Sequence, residues 1–143
     1  MDDDCPFCLI GRGDIDQDMV AFRTDRVFVS MAQKQRPANP GHVLVCPVTH
    51  ATTLHTVEPS LLAEVFNVVT TLTRIAPAAF GAVGTTVLNN NDAPDQVISH
   101  LHVHVIPRFA GDDLTIPNPD RSPTPRDFRA HLTAQLRQAL LGR

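Results

Sequence analysis

The chain has 143 residues, of which 43% are hydrophobic and 19% are charged, with a net charge of -3 and a pI of about 6.1. This length suits one domain that buries about two-thirds of its unfolded surface, and the composition excludes a disordered chain. The slight acidity argues against a general nucleic-acid-binding surface, so any phosphate site must be local.

The first residues, Met1 to Asp4, are acidic and lack the basic-then-apolar order of a signal peptide. No apolar run approaches the ~18 residues that a membrane span needs. We therefore expect a cytoplasmic protein with no membrane partner. Disulfides are rare in that compartment, so the three cysteines are expected to be thiols or metal ligands.

A CxxC pair, Cys5-Pro6-Phe7-Cys8, is the first motif in the chain. In a cytosolic protein such a pair is either half of a zinc site or a redox motif. The redox version normally follows a strand and opens a helix, whereas only three aspartates and Met1 precede this pair. The sequence therefore favours half a zinc knuckle, without identifying the other two ligands.

Short β-branched and aliphatic runs predict the first strands of a sheet, at residues 18–22, 26–31 and 42–46. Cys46 lies in the third run and is expected to be a buried small hydrophobe. A long amphipathic helix follows, because apolar residues recur at three- and four-residue spacing over residues 61–75. Thr56 is its predicted N-cap, Pro77 ends or kinks it, and Gly81 stops it.

A fourth strand is predicted over residues 83–88, followed by a polar turn in which Asn91 is able to take a left-handed conformation. Beyond residue 110 a proline-rich connector leads to a last helix, which Thr124 caps. Its apolar stripe is Phe128, Leu132, Leu136 and Leu140. The sequence does not choose between docking of this helix on the domain and on a second subunit.

Histidine occupies every second position of the fifth predicted strand, at His100, His102 and His104. Successive strand side chains point to opposite faces, so three imidazoles would project from one face, each about 6.5 to 7 Å from the next. Three titratable rings cost free energy if they are buried and add little if exposed. The pattern therefore indicates a site, with a half-exposed edge strand as the alternative.

The order of elements predicts an α+β fold, with a mostly antiparallel five-stranded sheet, a central helix and a C-terminal helix. Over about residues 5–110 the chain also resembles the histidine triad (HIT) family of nucleotide hydrolases and transferases. The matching segments are the His-x-His-x-His-x-x motif at 100–106, Pro-Gly-His-x-Leu-Val-x-Pro at 40–47, the Asn-rich turn at 89–91, and Gln96. We assign 1–110 to the HIT domain and 111–143 to a connector and helix of the same domain.

The resemblance implies a role for each matching residue. His102 would be the nucleophile that attacks the α-phosphorus and forms a nucleotidyl-histidine. His104 would contact the α-phosphate or the leaving oxygen, and Asn89 and Gln96 would contact substrate. His42 would orient the triad from the neighbouring strand.

Phe7 occupies a position that lines the base pocket in relatives, although a core phenylalanine explains it as well. Relatives with an N-terminal CxxC bind zinc, which here implies a structural site of Cys5, Cys8, His50 and His100. Without the resemblance, His50 would read as an exposed loop histidine.

Two departures from the family pattern concern the substrate. Val97 stands where the family often has a phosphate-binding hydroxyl, and Asp95 adds an anion nearby. The acidic or amide residue for the ribose falls on Lys34 or, counted from the second strand, on Ala32.

The leading hypothesis is an enzyme that releases a nucleoside monophosphate from a phosphoramidate, a dinucleoside polyphosphate or a related ester. A nucleotide-binding module without turnover and a zinc-held scaffold are the alternatives. The expected partners are an AMP-like nucleotide and, because relatives often dimerise, a second copy of the chain, but no nucleic acid.

Overall fold

Five antiparallel strands form one sheet in a computed structural model that describes residues 3–116 and 123–142. Their order across the sheet is β1-β2-β3-β5-β4. The strands are β1 (Val20–Arg23), β2 (Val27–Met31), β3 (Val43–Pro47), β4 (Gly84–Asn89) and β5 (Val103–Arg108). This sheet and its helices confirm the predicted α+β fold.

Three helices accompany the sheet: α1 (Pro6–Arg12), α2 (Pro59–Phe80) and α3 (Arg126–Leu141). Alternate residues of the central strands, such as Val29, Val45 and Val103, pack with α2 and α3 in the main core. The opposite face, carrying Phe28 and Cys46, packs against α1 in a smaller core. No helix of the described residues is long and apolar enough to cross a membrane.

Helix α1 was not predicted, and it places the CxxC pair at a helix start. Cys5 is the N-cap, Pro6 takes the first position, and Gly13 ends the helix with φ 93°. Proline at the first helical position and glycine just past the end are ordinary helix signals. These signals lie after the pair, at Pro6 and Gly13, whereas the three aspartates before it carry no helix signal.

The start of α2 differs from the prediction, because Glu58 rather than Thr56 is the N-cap. The Glu58 carboxylate accepts hydrogen bonds from the backbone N–H groups of Ser60 and Leu61, at 2.9 and 3.1 Å. Thr56 instead stabilises its own turn, where its hydroxyl accepts from the Thr53 N–H. At the other end Pro77 lies inside the last turn, and Gly81 ends the helix as predicted, with φ 72°.

The histidine strand begins later than predicted, since β5 starts at Val103 and leaves His100 and His102 before it. The backbone N–H of Leu101 donates to the carbonyl oxygen of Ala51 at 2.6 Å, in the loop after β3. On the other side of β5, β4 ends at Asn89, which lies opposite Val103, so the residues before Val103 have no strand partner there. The prediction of one continuous strand through all three histidines is therefore wrong.

Helix α3 docks on its own domain, where it contacts α2 and β1. Leu132 and Leu136 are buried in the main core, whereas Phe128 is 45% exposed. The N-cap is Pro125, and the hydroxyl of Thr124 instead accepts from the Gln35 N–H at 2.8 Å. The predicted cap at Thr124 is thus wrong.

Two further sequence predictions concern loops. The left-handed residue of the polar turn is Asp92, with φ 62°, and not Asn91. The carbonyl oxygen of the Asn91 side chain accepts the Leu54 N–H at 2.8 Å, which joins this turn to the loop before α2. The predicted connector falls partly on residues 117–122, which lie outside the described residues.

Candidate active site and metal centre

Four residues from three separate segments form a metal-binding cluster. Cys5 and Cys8 come from the start of α1, His50 follows β3, and His100 precedes β5. One sulfur or nitrogen atom of each lies within 4.8 Å of the others. Three of the residues are buried, and His50 is half-buried.

The distances within this cluster suit a tetrahedral zinc ion. Nδ1 of His100 lies 3.4 and 3.6 Å from the sulfurs of Cys5 and Cys8, and Nδ1 of His50 lies 3.3 Å from that of Cys8. Zinc bonds of 2.0–2.1 Å to nitrogen and 2.3 Å to sulfur place tetrahedral ligand atoms about 3.3 to 3.8 Å apart. The observed separations match the edges of such a tetrahedron.

The hydrogen bonds of His100 also suit a metal ligand. Its Nε2 lies 2.9 Å from the carbonyl oxygen of Pro47, which can only accept, so Nε2 carries the proton. Nδ1 is then left with a lone pair that faces the two sulfurs. Cys46, the third cysteine, is fully buried beside this cluster, and burial raises the pKa of its thiol well above the usual value.

His102 is buried, with 7% of its surface exposed, next to the metal cluster. Its Nδ1 lies 2.7 Å from the carbonyl oxygen of His100 and therefore carries a proton that it donates there. Burial lowers the pKa of His102, so the ring is neutral near pH 7. A neutral ring with Nδ1 protonated presents the lone pair of Nε2, which is the nucleophilic form of imidazole.

His104 and His42 form a coupled pair beside His102. Nε2 of His42 lies 2.9 Å from Nδ1 of His104, and the rings of His102 and His104 are 5.0 Å apart between centroids. Burial is the main cause that lowers the pKa of His104 to about 4 and that of His42 to about 3. Both rings are therefore neutral near pH 7, and the row runs His102, His104, His42.

Three buried side-chain nitrogen atoms of the described residues have no hydrogen-bond partner in the protein: Arg36 Nε, His42 Nδ1 and His104 Nε2. Buried polar groups are normally paired, so a group of exceptions needs an explanation. Arg36 was not predicted from the sequence. The only feature of the sequence that could have pointed to Arg36 is its place in the loop that leads into His42.

The two predicted amide ligands are held by the protein itself. Asn89 donates from Nδ2 to the carbonyl oxygen of His102 at 3.0 Å, and its Oδ1 accepts from the Asn91 amide. Gln96 donates to the Thr52 carbonyl at 2.6 Å and accepts the Asp92 N–H at 2.7 Å. These bonds fix the backbone around His102 and the loop opposite it.

The other predicted residues lie in contrasting surroundings. Phe7 is 6% exposed, and its ring packs against those of His100 and His102 with centroids 5.7 and 5.1 Å apart. Val97 is 87% exposed in the loop between β4 and β5. Of the two positions left open for the ribose, Lys34 is exposed and Ala32 is buried.

Comparison with known proteins places this geometry in context. Residues 13–111 match the family model for the HIT domain. The chain is 32% identical over 114 residues to Protein hit of Bacillus subtilis, covering 78% of this chain and 75% of that one. It is also 32% identical over 106 residues to the adenosine 5'-monophosphoramidase hnt1 of Schizosaccharomyces pombe, covering 73% and 74%.

A solved structure resembles the whole chain. The zinc-bound histidine triad family protein of Mycobacterium smegmatis superposes with a TM-score of 0.81 at 30% identity, covering 97% of this chain and 94% of that one. The zinc in that protein is consistent with the cluster of two cysteines and two histidines in this chain.

Proposed function

The chain belongs to the HIT domain family, and from this premise we propose that it is a nucleotide hydrolase or transferase that works through a covalent nucleotidyl-histidine. The observation that carries the proposal is the state of His102. Its Nδ1 proton is held by the His100 carbonyl, and Nε2 is left as a neutral nucleophile. A zinc-held scaffold without substrate would not need this arrangement.

In the proposed reaction, the lone pair of His102 Nε2 forms a bond to the α-phosphorus of a nucleotide. The bond from phosphorus to the leaving nitrogen or oxygen breaks, and the leaving group keeps its electron pair. Water then attacks the same phosphorus and loses a proton, which balances the proton that the leaving group takes up; the bond from phosphorus to Nε2 breaks, the nucleoside monophosphate is released, and Nε2 regains its lone pair. For a transferase, another nucleophile takes the place of water.

His104 and Asn89 would assist in different ways. His104 lies beside the nucleophile, and its Nε2 has no partner in the protein, so it is available to the α-phosphate or the leaving atom. Asn89 bonds the backbone of His102 instead of facing outward. We therefore assign Asn89 and His42 to positioning, and His104 to contact with the substrate.

The substrate is proposed to be an AMP-like phosphoramidate, dinucleoside polyphosphate or related ester. Support comes from the similarity to the adenosine 5'-monophosphoramidase of Schizosaccharomyces pombe. Phe7 packs on His102 and is the proposed apolar wall near the base. Because the amide of Gln96 is already bonded at both ends, we propose that it shapes the substrate loop through its bonds to Thr52 and Asp92.

Zinc is proposed to be structural, with Cys5, Cys8, His50 and His100 as its four ligands. When bound, the ion would tie the start of α1 to the segment before β5. All four ligands come from the protein, which leaves no position for water or substrate.

A homodimer is proposed because β4 is an edge strand. Its outer edge has no partner strand among the described residues, and Val87 of β4 and Val83, just before it, have exposed side chains. Such an edge is suited to pairing with a second copy. Sedimentation with a pairing-blocked variant, Val87→Pro, would test this.

The cytoplasmic location expected from the sequence stays a prediction.

A nucleotide-binding module without turnover is the second candidate. It is favoured by Val97, which offers no hydroxyl to the phosphate. The experiment is to incubate zinc-loaded protein with an AMP phosphoramidate and with diadenosine polyphosphates and to measure AMP release and AMP binding. AMP release supports the enzyme, and AMP binding without release supports the binding module. If the protein neither binds nor releases AMP, both candidates are wrong.

A further inference from the structure

Gln35 is a buried side chain whose hydrogen bonds converge on the backbone of His42. It lies in the loop before β3 and is 6% exposed. Its Oε1 accepts the N–H groups of Gly41 and His42 at 2.9 and 3.0 Å. Its Nε2 donates to the carbonyl oxygens of Ala32 and His42 at 2.9 and 2.8 Å. A glutamine amide offers two acceptor sites and two N–H groups, so all four are used.

These bonds hold both backbone polar groups of His42, which is the last residue before β3 begins at Val43. Its N–H belongs to one peptide plane and its carbonyl to the next. Bonds to both groups therefore fix the planes on either side of the Cα atom, and with them the direction of the Cα–Cβ bond. Because the side chain starts from that bond, the position of the imidazole depends on Gln35.

The residue before His42 is confined as well. Gly41 has φ 100°, a conformation that other residues rarely adopt. A Cβ atom at this position would come within 2.7 Å of the Phe80 ring at the end of α2. The loop therefore packs closely against α2 at the point where the amide of Gln35 holds it, which leaves the backbone of His42 little room to shift.

A second contact anchors Gln35 to the segment before α3. The backbone N–H of Gln35 donates to the hydroxyl of Thr124 at 2.8 Å, and the N–H of Thr124 donates to the carbonyl of Gln33 at 3.0 Å. Thr124 follows Gln35 by 89 residues in the sequence. The position of the amide is therefore fixed by tertiary contacts and not by the loop alone.

His42 in turn contacts His104, since its Nε2 lies 2.9 Å from Nδ1 of His104. We propose that Gln35 is a positioning residue, which holds His42 and through it keeps His104 in place for the substrate. This role rests on the proposed function. Gln35 itself does not contact the substrate, because every polar atom of its side chain is already bonded within the protein.

A glutamine that only stabilised its loop would affect folding and leave the histidine pair unchanged. Gln35→Met separates the two roles, because it keeps the length of the side chain and removes all four hydrogen bonds. We expect its kcat for an AMP phosphoramidate to fall by on the order of 10- to 100-fold, since small displacements of a group beside the reacting atoms have effects of this size. KM should change little, because no contact with bound substrate is removed.

The decisive measurement is the same substitution in a His104→Ala background. If Gln35 acts through His104, the two losses are not additive, and Gln35→Met should change the remaining kcat by no more than about twofold. A full second loss would show that Gln35 acts independently of His104 and would overturn the inference. An unchanged kcat in the single variant would overturn it too.

Two controls separate position from stability. Gln138→Met makes the same change at an exposed site on α3 and should leave both kcat and Tm unchanged. Leu136→Ala removes a buried side chain from the main core and lowers the Tm, but at a temperature where it is folded its kcat should match that of the wild type. A fall in kcat as large as that of Gln35→Met would attribute the loss to stability and contradict the inference.

A measurement without turnover distinguishes this inference from the proposed function. In zinc-loaded protein with isotope-labelled histidine, the buried bond between His42 and His104 should give a slowly exchanging imidazole N–H signal in NMR spectra, which His104→Ala removes. Gln35→Met should shift or broaden this signal, and an unchanged signal would contradict the positioning role. If the signal responds but the wild type turns over no nucleotide, the proposed function fails while the positioning of His42 stands.

Thr124→Val covers the case in which Gln35→Met does not fold. It removes only the hydroxyl that accepts the Gln35 N–H. We expect a smaller loss of kcat in the same direction, which also disappears in the His104→Ala background, and a smaller shift of the same signal. Wild-type values of both quantities would overturn the inference.

Discussion

Nδ1 of His102 donates a hydrogen bond of 2.7 Å to the backbone carbonyl of His100, whose own side chain belongs to the metal cluster. The residue that would hold zinc and the residue that would attack phosphorus are thus joined by one hydrogen bond. A metal that fixes His100 would also fix the acceptor that determines the tautomer of His102. In the proposed mechanism, this link would let the metal cluster hold the nucleophile in its reactive tautomer although the cluster itself does not contact the substrate.

The first prediction concerns the metal. Protein purified without added zinc should contain close to one zinc per chain, and Cys8→Ser should lose it. Because the unfolded chain offers no preformed site, zinc binding stabilises the folded state. We expect the Tm of Cys8→Ser to fall by roughly 10 °C, equivalent to about 3 kcal/mol for a domain of this size.

Cys46→Ala is the matched control for this experiment. Cys46 is a third buried cysteine, but it is not one of the four clustered ligands. The variant should retain its zinc, as measured by elemental analysis. If metal-free wild type were as stable and as active as zinc-loaded wild type, the proposed zinc site would be contradicted.

The second prediction concerns stability at acid pH. The pKa values of His104 and His42 lie at about 4 and about 3, below the ordinary 6.5, because both rings are buried. Between pH 6.5 and about 4 the unfolded chain therefore binds protons that the folded chain does not. The free energy of unfolding should be fully retained above pH 6.5 and fall as the pH drops through this window, by about 3 kcal/mol for each of the two histidines.

Denaturant unfolding at a series of pH values measures this dependence. His104→Gln and His42→Gln should each give a flatter profile than the wild type, since one depressed histidine is removed. His131→Gln, which alters an exposed histidine on α3, is the control and should leave the profile unchanged. All of these variants keep the four metal ligands, so acid loss of zinc affects them alike. Identical slopes for all variants would contradict the assignment to this pair.

The sequence predicted most of the fold, for local reasons. The alternation of His100 to Val105 correctly predicted that Leu101 and Val103 enter the core, because side-chain direction follows strand geometry. The period of α2 was equally informative. Its N-cap was not predicted, because Thr56 and Glu58 are both possible caps and the choice depends on which side-chain oxygen reaches the first free N–H groups.

Nonlocal contacts account for the parts of the site that could not be predicted from the residues alone. His50 by itself reads as a loop histidine, and only the chain fold brings it to Cys8. Arg36 lies in the irregular loop before β3, and its side chain contacts the carbonyl of Thr115, which is distant in sequence. Residues of this kind have no periodicity or spacing that would identify them.

The third prediction concerns the sugar. Lys34 is exposed and Ala32 is buried, so neither position supplies the carboxylate or amide that would accept a ribose hydroxyl. A site without such a partner discriminates poorly against the analogue that lacks the hydroxyl. The kcat/KM values for matched AMP and dAMP phosphoramidates should differ by less than about a hundredfold. A larger preference would mean that another residue bonds the ribose.

The last prediction concerns the nucleophile. His100 is committed to the metal cluster, and His104 is bonded to His42 through Nδ1, which leaves His102 as the ring with a fixed tautomer and an available Nε2. Attack by His102 would form a phosphorus–nitrogen bond, which is labile in acid and stable in base. A sample quenched rapidly at high pH should therefore retain a labelled nucleotide on the protein, and acid should release it.

His102→Ala should lose both the adduct and turnover while keeping its zinc and nearly all of its AMP affinity. His104→Ala should slow formation or breakdown of the adduct without moving it to another residue. Wild-type turnover by His102→Ala, or a label that maps elsewhere, would show that another group attacks the phosphorus.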